Sequence, residues 1–294
     1  MWNGCPLYAQ FSLDLAVWRY LPWYKFEDLI NTSSLFFTRA DHLTKEFDDA
    51  EGAMTASEKE LVEITLEGMH SYISSQNTPV LRVSGIPFQG MWSIDVAAYR
   101  DNVTKVYAYY LNNMHVNCWH QNSSEDISMW KGYVPDGNGV AIHTSTRALV
   151  KSLEATAEEV IGSSVEYIDH AREPITGALQ RGGGLYLVLL QMLIRKKLRF
   201  SGERELRLLT CQLPARELYG PLLRKDLPFD KRNVDIGRRL KIHLRELQPK
   251  IVLHPNASVE LHERVATLLN STVGSHGLDE GNISYSAAMP KGSV

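Results

Sequence analysis

Residues 115–142, HVNCWHQNSSEDISMWKGYVPDGNGVAI, constrain the fold more than any other stretch. HVNCWH reads as a strand, QNSSED as a polar break, and DISMWKGY places Asp126, Trp130 and Tyr133 at helical spacing. PDGNG is then a turn, and GVAIHTS a second strand. A strand, a short helix and a returning strand in so few residues require a sheet with a helix laid against it. The first strand delivers Cys118, Trp119 and His120 to its end beside that helix, so the junction is either a packed corner or a site. An aromatic stripe is usually core, which predicts that Trp130 is buried and packs beside the strand at 139–145. Asp126 on the same stripe needs a partner if it is buried, such as an Arg or a Trp N–H.

The rest of the chain reads as strands and helices without strict alternation. LDLAVWRYL (13–21) is a strand stopped by Pro22, WYKFEDLI a short helix, and LFFTRA (35–40) a second strand. DHLTKEFDDAEG reads as a polar, acidic loop, and Thr55 with Glu58 as a capping box before an apolar stripe of Val62, Leu66, Met69 and Ile73. SSQNTPVLRVSGIPFQG is a connection, and a second amphipathic helix covers 93–112. TRALVKSLEATAEEV and LYLVLLQMLIRKKL (185–198) read as helices, SSVEYIDH as a strand. ERELRLLTCQL (203–213) and LQPKIVLHP (247–255) are further strands, HERVATLLN (262–270) a helix, and the last residues a loose tail. The pattern predicts an α+β fold: a mixed, curved sheet of about six to eight strands with surrounding helices. The strands at 13–21, 115–120 and 203–213 should lie near one another. No linker interrupts the chain, so residues 1–294 form one domain with its core at about 13–275.

At 44% hydrophobic and 22% charged, with a net charge of -3, the chain has globular composition and no general attraction to nucleic acid or membrane. Its longest apolar run, LYLVLLQMLI, is interrupted by Gln191 and falls short of the ~20 residues that span a bilayer. The N-terminal residues lack a basic region before their apolar ones, unlike a signal peptide. Cys5, Cys118 and Cys211 are far apart and suit free thiols in a reducing cytoplasm, the expected location.

Three groups could carry chemistry. HVNCWH suggests a metal, but strand alternation puts Cys118 and His120 on one face and His115 on the other, and no CxxC or HExxH completes a set. No metal is therefore expected. In ERELR, a strand would align Glu203, Glu205 and Arg207 on one face. Two carboxylates so placed repel; they suit acid–base work or stabilisation of a cationic transition state, or form a solvated face neutralised by Arg207. Repulsion also predicts that neutralising Glu205 leaves the fold intact or slightly firmer. Arg19, between Trp18 and Tyr20, could clamp a pyrophosphate in bidentate fashion or form a structural ion pair. No GxxxxGK, GxGxxG or GxSxG is present.

Taken together, WRYLPWYKFEDLINTSSLFFTRADHLTKEFDDAEG, CWHQNSSEDISMWKGYVPDGNGVAI and FSGERELRLL resemble the bacterial family catalogued as domain of unknown function 2971, over residues 17–255. That family pairs an aromatic-Arg-Tyr start with a Cys-Trp strand, a Met-Trp helix and a Glu-x-Glu-x-Arg strand. The chain departs from it at DDAEG, where Ala50 replaces a Pro, which leaves Asp49 and Glu51 without a carried-over role. The order of motifs is also similar to the ADP-ribosyltransferase fold, although Cys118-Trp119-His120 stands where toxin-like enzymes have Ser-Thr-Ser. This resemblance implies NAD as a substrate and a protein or nucleic-acid acceptor. It makes Glu205 the catalytic carboxylate and Glu203 the base toward the acceptor. Arg19 and Tyr20 then hold the dinucleotide, with Trp119 and His120 lining the nicotinamide pocket. The contrasting expectation is a sensor or partner-binding module, for instance in phage defence, in which Arg19, Asp126, Trp130 and Arg207 form a buried polar network.

Overall fold

The computed structural model describes residues 12–46, 81–83, 86–88, 111–169, 193–212 and 235–288. The apolar stripe from Val62 to Ile73, the helix expected at 93–112 as far as residue 110, and the acidic loop at Asp49 and Glu51 lie outside these residues.

The fold is α+β, built on a mixed nine-stranded sheet. The first strand, β1 (Ala16–Pro22), runs directly into helix α1 (Trp23–Thr32), and the chain returns as β2 (Ser34–Arg39) after Ser33 takes a left-handed turn at φ 46. Ala40, expected to end the strand, and DHLTKE, expected as loop, form α2 (Ala40–Glu46), and the expected connection contains a small hairpin of β3 (Leu81–Val83) and β4 (Ile86–Phe88). Next come β5 (Met114–Gln121), α3 (Ile127–Tyr133), β6 (Gly139–Ser145) and α4 (Thr146–Ser152), the arrangement read from residues 115–142. Gly139 is needed where the turn closes, because a Cβ there would lie 2.2 Å from the carbonyl oxygen of Leu21 on β1.

β5 organises the sheet. His120 faces both Trp18 of β1 and Glu205 of β10 (Glu205–Cys211), while Val116 faces both Thr38 of β2 and Leu209 of β10. A residue has one partner on each side, so β10 occupies one whole edge of β5. β1 and β2 share the other edge, one at each end of β5, and the sheet forks between them. One branch continues from β2 to β11 (Gly237–Lys241), and the other from β1 through β6 to β12 (Lys250–Leu253) and β13 (Ile283–Tyr285). Beyond β10 lies β7 (Ile161–Ser164); β8 (Glu166–Ile168) and β9 (Arg195–Lys197) form a separate parallel pair. The end of the expected helix at 185–198 is thus a strand.

Alternation along the strands defines two faces. Val17, Leu21, Trp119, Ile142, Leu206 and Leu208 point into the larger core. α1, α4, the short α5 (Leu244–Leu247) and α6 (Val259–His276) cover it. On the opposite face Trp18, Tyr20, Ala141 and Val252 pack beneath α3, with Met129 and Trp130. Trp130 is fully buried, edge-on to Tyr20 at 4.9 Å, and its indole N–H donates to Glu125 at 3.2 Å. Glu125 also accepts from the backbone N–H of Ala287 at 2.9 Å and from the Ser286 hydroxyl. Residues 283–288, expected to be loose, are therefore tied to β12 and to the start of α3. Among the described residues, no helix is long and apolar enough to cross a membrane.

Trp130→Ala should lower stability by about 3–5 kcal/mol, measured by chemical denaturation with far-UV circular dichroism. An unchanged midpoint would contradict its place in the core. His115, fully buried on β5, supplies a second test. Burial, then Arg238, pushes its pKa from 6.5 down to about 4. The folded state therefore resists a proton that the unfolded chain accepts, and this share of stability, present above pH 6.5, is lost as pH falls toward 4. His115→Leu should flatten the pH–stability curve in that window; a curve parallel to wild type would refute the assignment.

Candidate functional site

Between β1 and β2 the free edge of β5 at 117–119 opens into a cleft of about 190 Å³. Arg19 sits in the fork, its Cζ 5.8 Å from the centroid of the Trp119 ring. Among the described residues its one hydrogen bond runs from Nη2 to the carbonyl oxygen of Phe36, at 3.4 Å. No carboxylate among the described residues pairs with it, and none of its nitrogens is sealed from solvent without a partner. Burial lowers its pKa to about 10, as expected of a cation lacking a counter-charge. Lys25, exposed on α1, adds a second positive charge at the mouth.

The floor is a buried charge cluster on the α3 face. Glu205 is 5% exposed and bound on both oxygens: Oε2 accepts from Arg207 Nε at 2.7 Å, and Oε1 from Lys196 Nζ at 3.0 Å. Lys196 also donates to Glu203 at 2.8 Å, and Arg207 Nη1 donates to the carbonyl of Leu193 at 2.6 Å. Burial alone would raise the Glu205 pKa, but Arg207 and Lys196 outweigh it and hold the carboxyl well below its ordinary value. Glu203 moves the other way. Burial, then its contact with Glu205, raises it to about 7. The two neighbouring carboxyls are thus pushed in opposite directions, Glu205 toward its ionised form and Glu203 toward its protonated one.

Aromatic side chains form the walls. Tyr20 stands on β1, its hydroxyl accepting from the backbone N–H of Asp126 at 2.9 Å. Tyr133, 42% exposed, sits at the rim on α3. Trp119 is 1% exposed and donates its indole N–H to Asn117 Oδ1 at 2.8 Å, so its contribution to the cleft is limited to part of its ring. His120 is buried, and its Nδ1 donates to the carbonyl oxygen of Glu203 at 2.5 Å. Cys118 shares this face, but burial pushes its thiol up to about 12, which removes it as a nucleophile at neutral pH.

Five of the residues singled out from the sequence therefore line one cleft: Arg19, Tyr20, Trp119, His120 and Glu205. Glu203 joins them through Lys196, although not as an aligned strand residue. It ends a 3₁₀ turn, Leu198–Glu203, and Arg204 follows in a left-handed conformation at φ 41. Asp126 is not a buried carboxylate either; it caps α3 by accepting from the backbone N–H of Ser128 at 2.7 Å. Sequence reasoning missed Lys196, whose place at the end of an apolar run gave no sign of a buried cation. Among the described residues no three His, Cys, Asp or Glu side chains converge as a metal site would require. Comparison of the chain with protein-family models, curated proteins and solved structures finds no match in any of the three.

The cluster reverses one expectation. Glu205 is the counter-ion of two buried cations, and their attraction outweighs its repulsion of Glu203, so Glu205→Gln should destabilise the fold. Removing one partner of a buried pair costs about 3–5 kcal/mol. Equilibrium unfolding of the variant should show a loss of that order; a variant as stable as wild type would mean the carboxylate is solvated.

Proposed function

We propose that the cleft binds NAD and that the protein is an NAD-consuming enzyme of ADP-ribosyltransferase type, transferring to a protein or nucleic-acid acceptor. The observation that carries this reading is Arg19. A guanidinium held in the fork of a sheet, with no carboxylate partner among the described residues and donors open to the cleft, is a site prepared for an anion. The dinucleotide pyrophosphate would lie against Arg19 and Lys25. The nicotinamide ribose would face the carboxyl pair, with Tyr20 and Tyr133 as aromatic walls. Breaking the glycosidic bond builds positive charge on the ribose and releases nicotinamide. Glu205, ionised throughout, is the fixed negative charge beside it, and Glu203, titrating near neutrality, takes the proton of the attacking acceptor.

A second reading has its own support. Both oxygens of Glu205 are engaged by buried cations, which suits a network that holds β9, β10 and the turn between them together in a non-catalytic binding module. The two readings separate on nicotinamide release. Wild-type protein with labelled NAD and cell extract should release nicotinamide. Arg19→Gln, which removes one weak internal hydrogen bond and leaves the floor intact, should bind NAD about 10- to 100-fold more weakly, the size of a charge-assisted hydrogen bond. No NAD binding and no release by wild type with any extract would establish the module instead.

A further inference from the structure

Lys196 is the cation of the cluster whose position is not explained by strand pairing with β5 or β10. It lies on β9, in the separate β8–β9 ribbon, and its ammonium reaches over the end of β10. It is 1% exposed and 4.8 Å from the centroid of the Phe200 ring. Burying an ammonium is costly unless it is closely paired. Here the pairing is double: 2.8 Å to Glu203 Oε2 and 3.0 Å to Glu205 Oε1. The two cations divide the work. Arg207 is fixed to the far oxygen of Glu205 and to the Leu193 carbonyl. Lys196 is the cation that bonds Glu203 among the described residues.

From this geometry we propose that Lys196 is a positioning residue, which clamps the carboxyl of Glu203 against Glu205 and governs its proton exchange. The proposal rests on the reading that this pair serves the chemistry of the cleft. The groups facing Glu203 make the direction of the effect clear. Glu205 disfavours its ionisation and Lys196 favours it. Tyr167 and Tyr133 are neutral phenols at the pH of interest, since burial raises both. Arg207 spends its charge on Glu205, and His120 touches only the backbone carbonyl of Glu203. Removing the ammonium therefore leaves the Glu203–Glu205 repulsion unopposed at Glu203. The Glu203 carboxyl should then hold its proton to higher pH. In an NAD-consuming enzyme with Glu203 as base, the rising limb of the pH–rate profile moves up with it.

The test compares wild type, Lys196→Met and Lys196→Arg by two readouts. In protein labelled with ¹³C at the Glu side-chain carboxyls, the Glu203 titration should move to higher pH in Lys196→Met and stay near the wild-type position in Lys196→Arg. Nicotinamide release from NAD should fall at least tenfold at neutral pH in Lys196→Met and recover as pH is raised, with Lys196→Arg restoring the profile. An unmoved Glu203 titration in folded Lys196→Met overturns the proposal. So does a rate loss that is equal at every pH, which would mark a merely structural residue. If Lys196→Met does not fold, Lys196→Arg decides alone: a displaced titration in that charge-preserving variant overturns the proposal, and a retained one supports it. If the titration shifts but no variant, wild type included, releases nicotinamide, the NAD reading fails while the clamp stands.

Discussion

The fork at β5 is the constraint on which the rest of the structure depends. A strand has two edges, and β5 gives one of them entirely to β10 while dividing the other between β1 and β2. The three residues between the branches have no strand partner on that side, and their polar groups must be met in other ways. Asn117 does so by donating to the Phe36 carbonyl at 2.8 Å and accepting from the Trp119 indole. Arg19 reaches the same carbonyl from the other branch. The opening in the sheet is thus lined by side chains that bridge it, and it places backbone, cation and aromatic surface within reach of a ligand on one side of a well-packed core.

The charge cluster beside the fork follows from alternation on β10. Leu206 and Leu208 point into the larger core, which forces Glu205 and Arg207 onto the opposite face. There α3 and the residues around Leu193 exclude water, so the charges must neutralise one another. Glu205 satisfies two cations, and the proton-exchanging role falls to Glu203, which stands in a turn and keeps partial access to solvent: its side chain is 22% exposed. The division into a locked carboxylate and an adjustable one is a consequence of where β10 begins. One residue later, and both carboxyls would lie outside the sheet.

Much of this was legible in the sequence. Periodicity and turn residues placed β1, α1, β2, β5, α3 and β6, because each is short, strongly patterned and bounded by Pro22, NTSS or PDGNG. Periodicity did not bring Arg19, His120 and Glu205 toward one place; the resemblance in motif order implied it. Other features were hidden because their causes are not local. GRRLK, the strand β11, carries three charged residues in five and is held as a strand by pairing with β2. RKK becomes β9 against Glu166–Ile168, a contact no sequence period announces. The C-terminal residues are ordered by Glu125, which lies more than 150 positions away.

In the proposed complex the fork would hold NAD with its pyrophosphate against Arg19 and its ribose at the carboxyl pair. The most direct measurement is a crystal structure of the protein grown with saturating NAD. The account predicts density in the cleft, with pyrophosphate oxygens within hydrogen-bond distance of Arg19 and the nicotinamide ribose facing Glu203 and Glu205. A cleft that stays empty while NAD is saturating, or a dinucleotide seated elsewhere with Arg19 untouched, would contradict it.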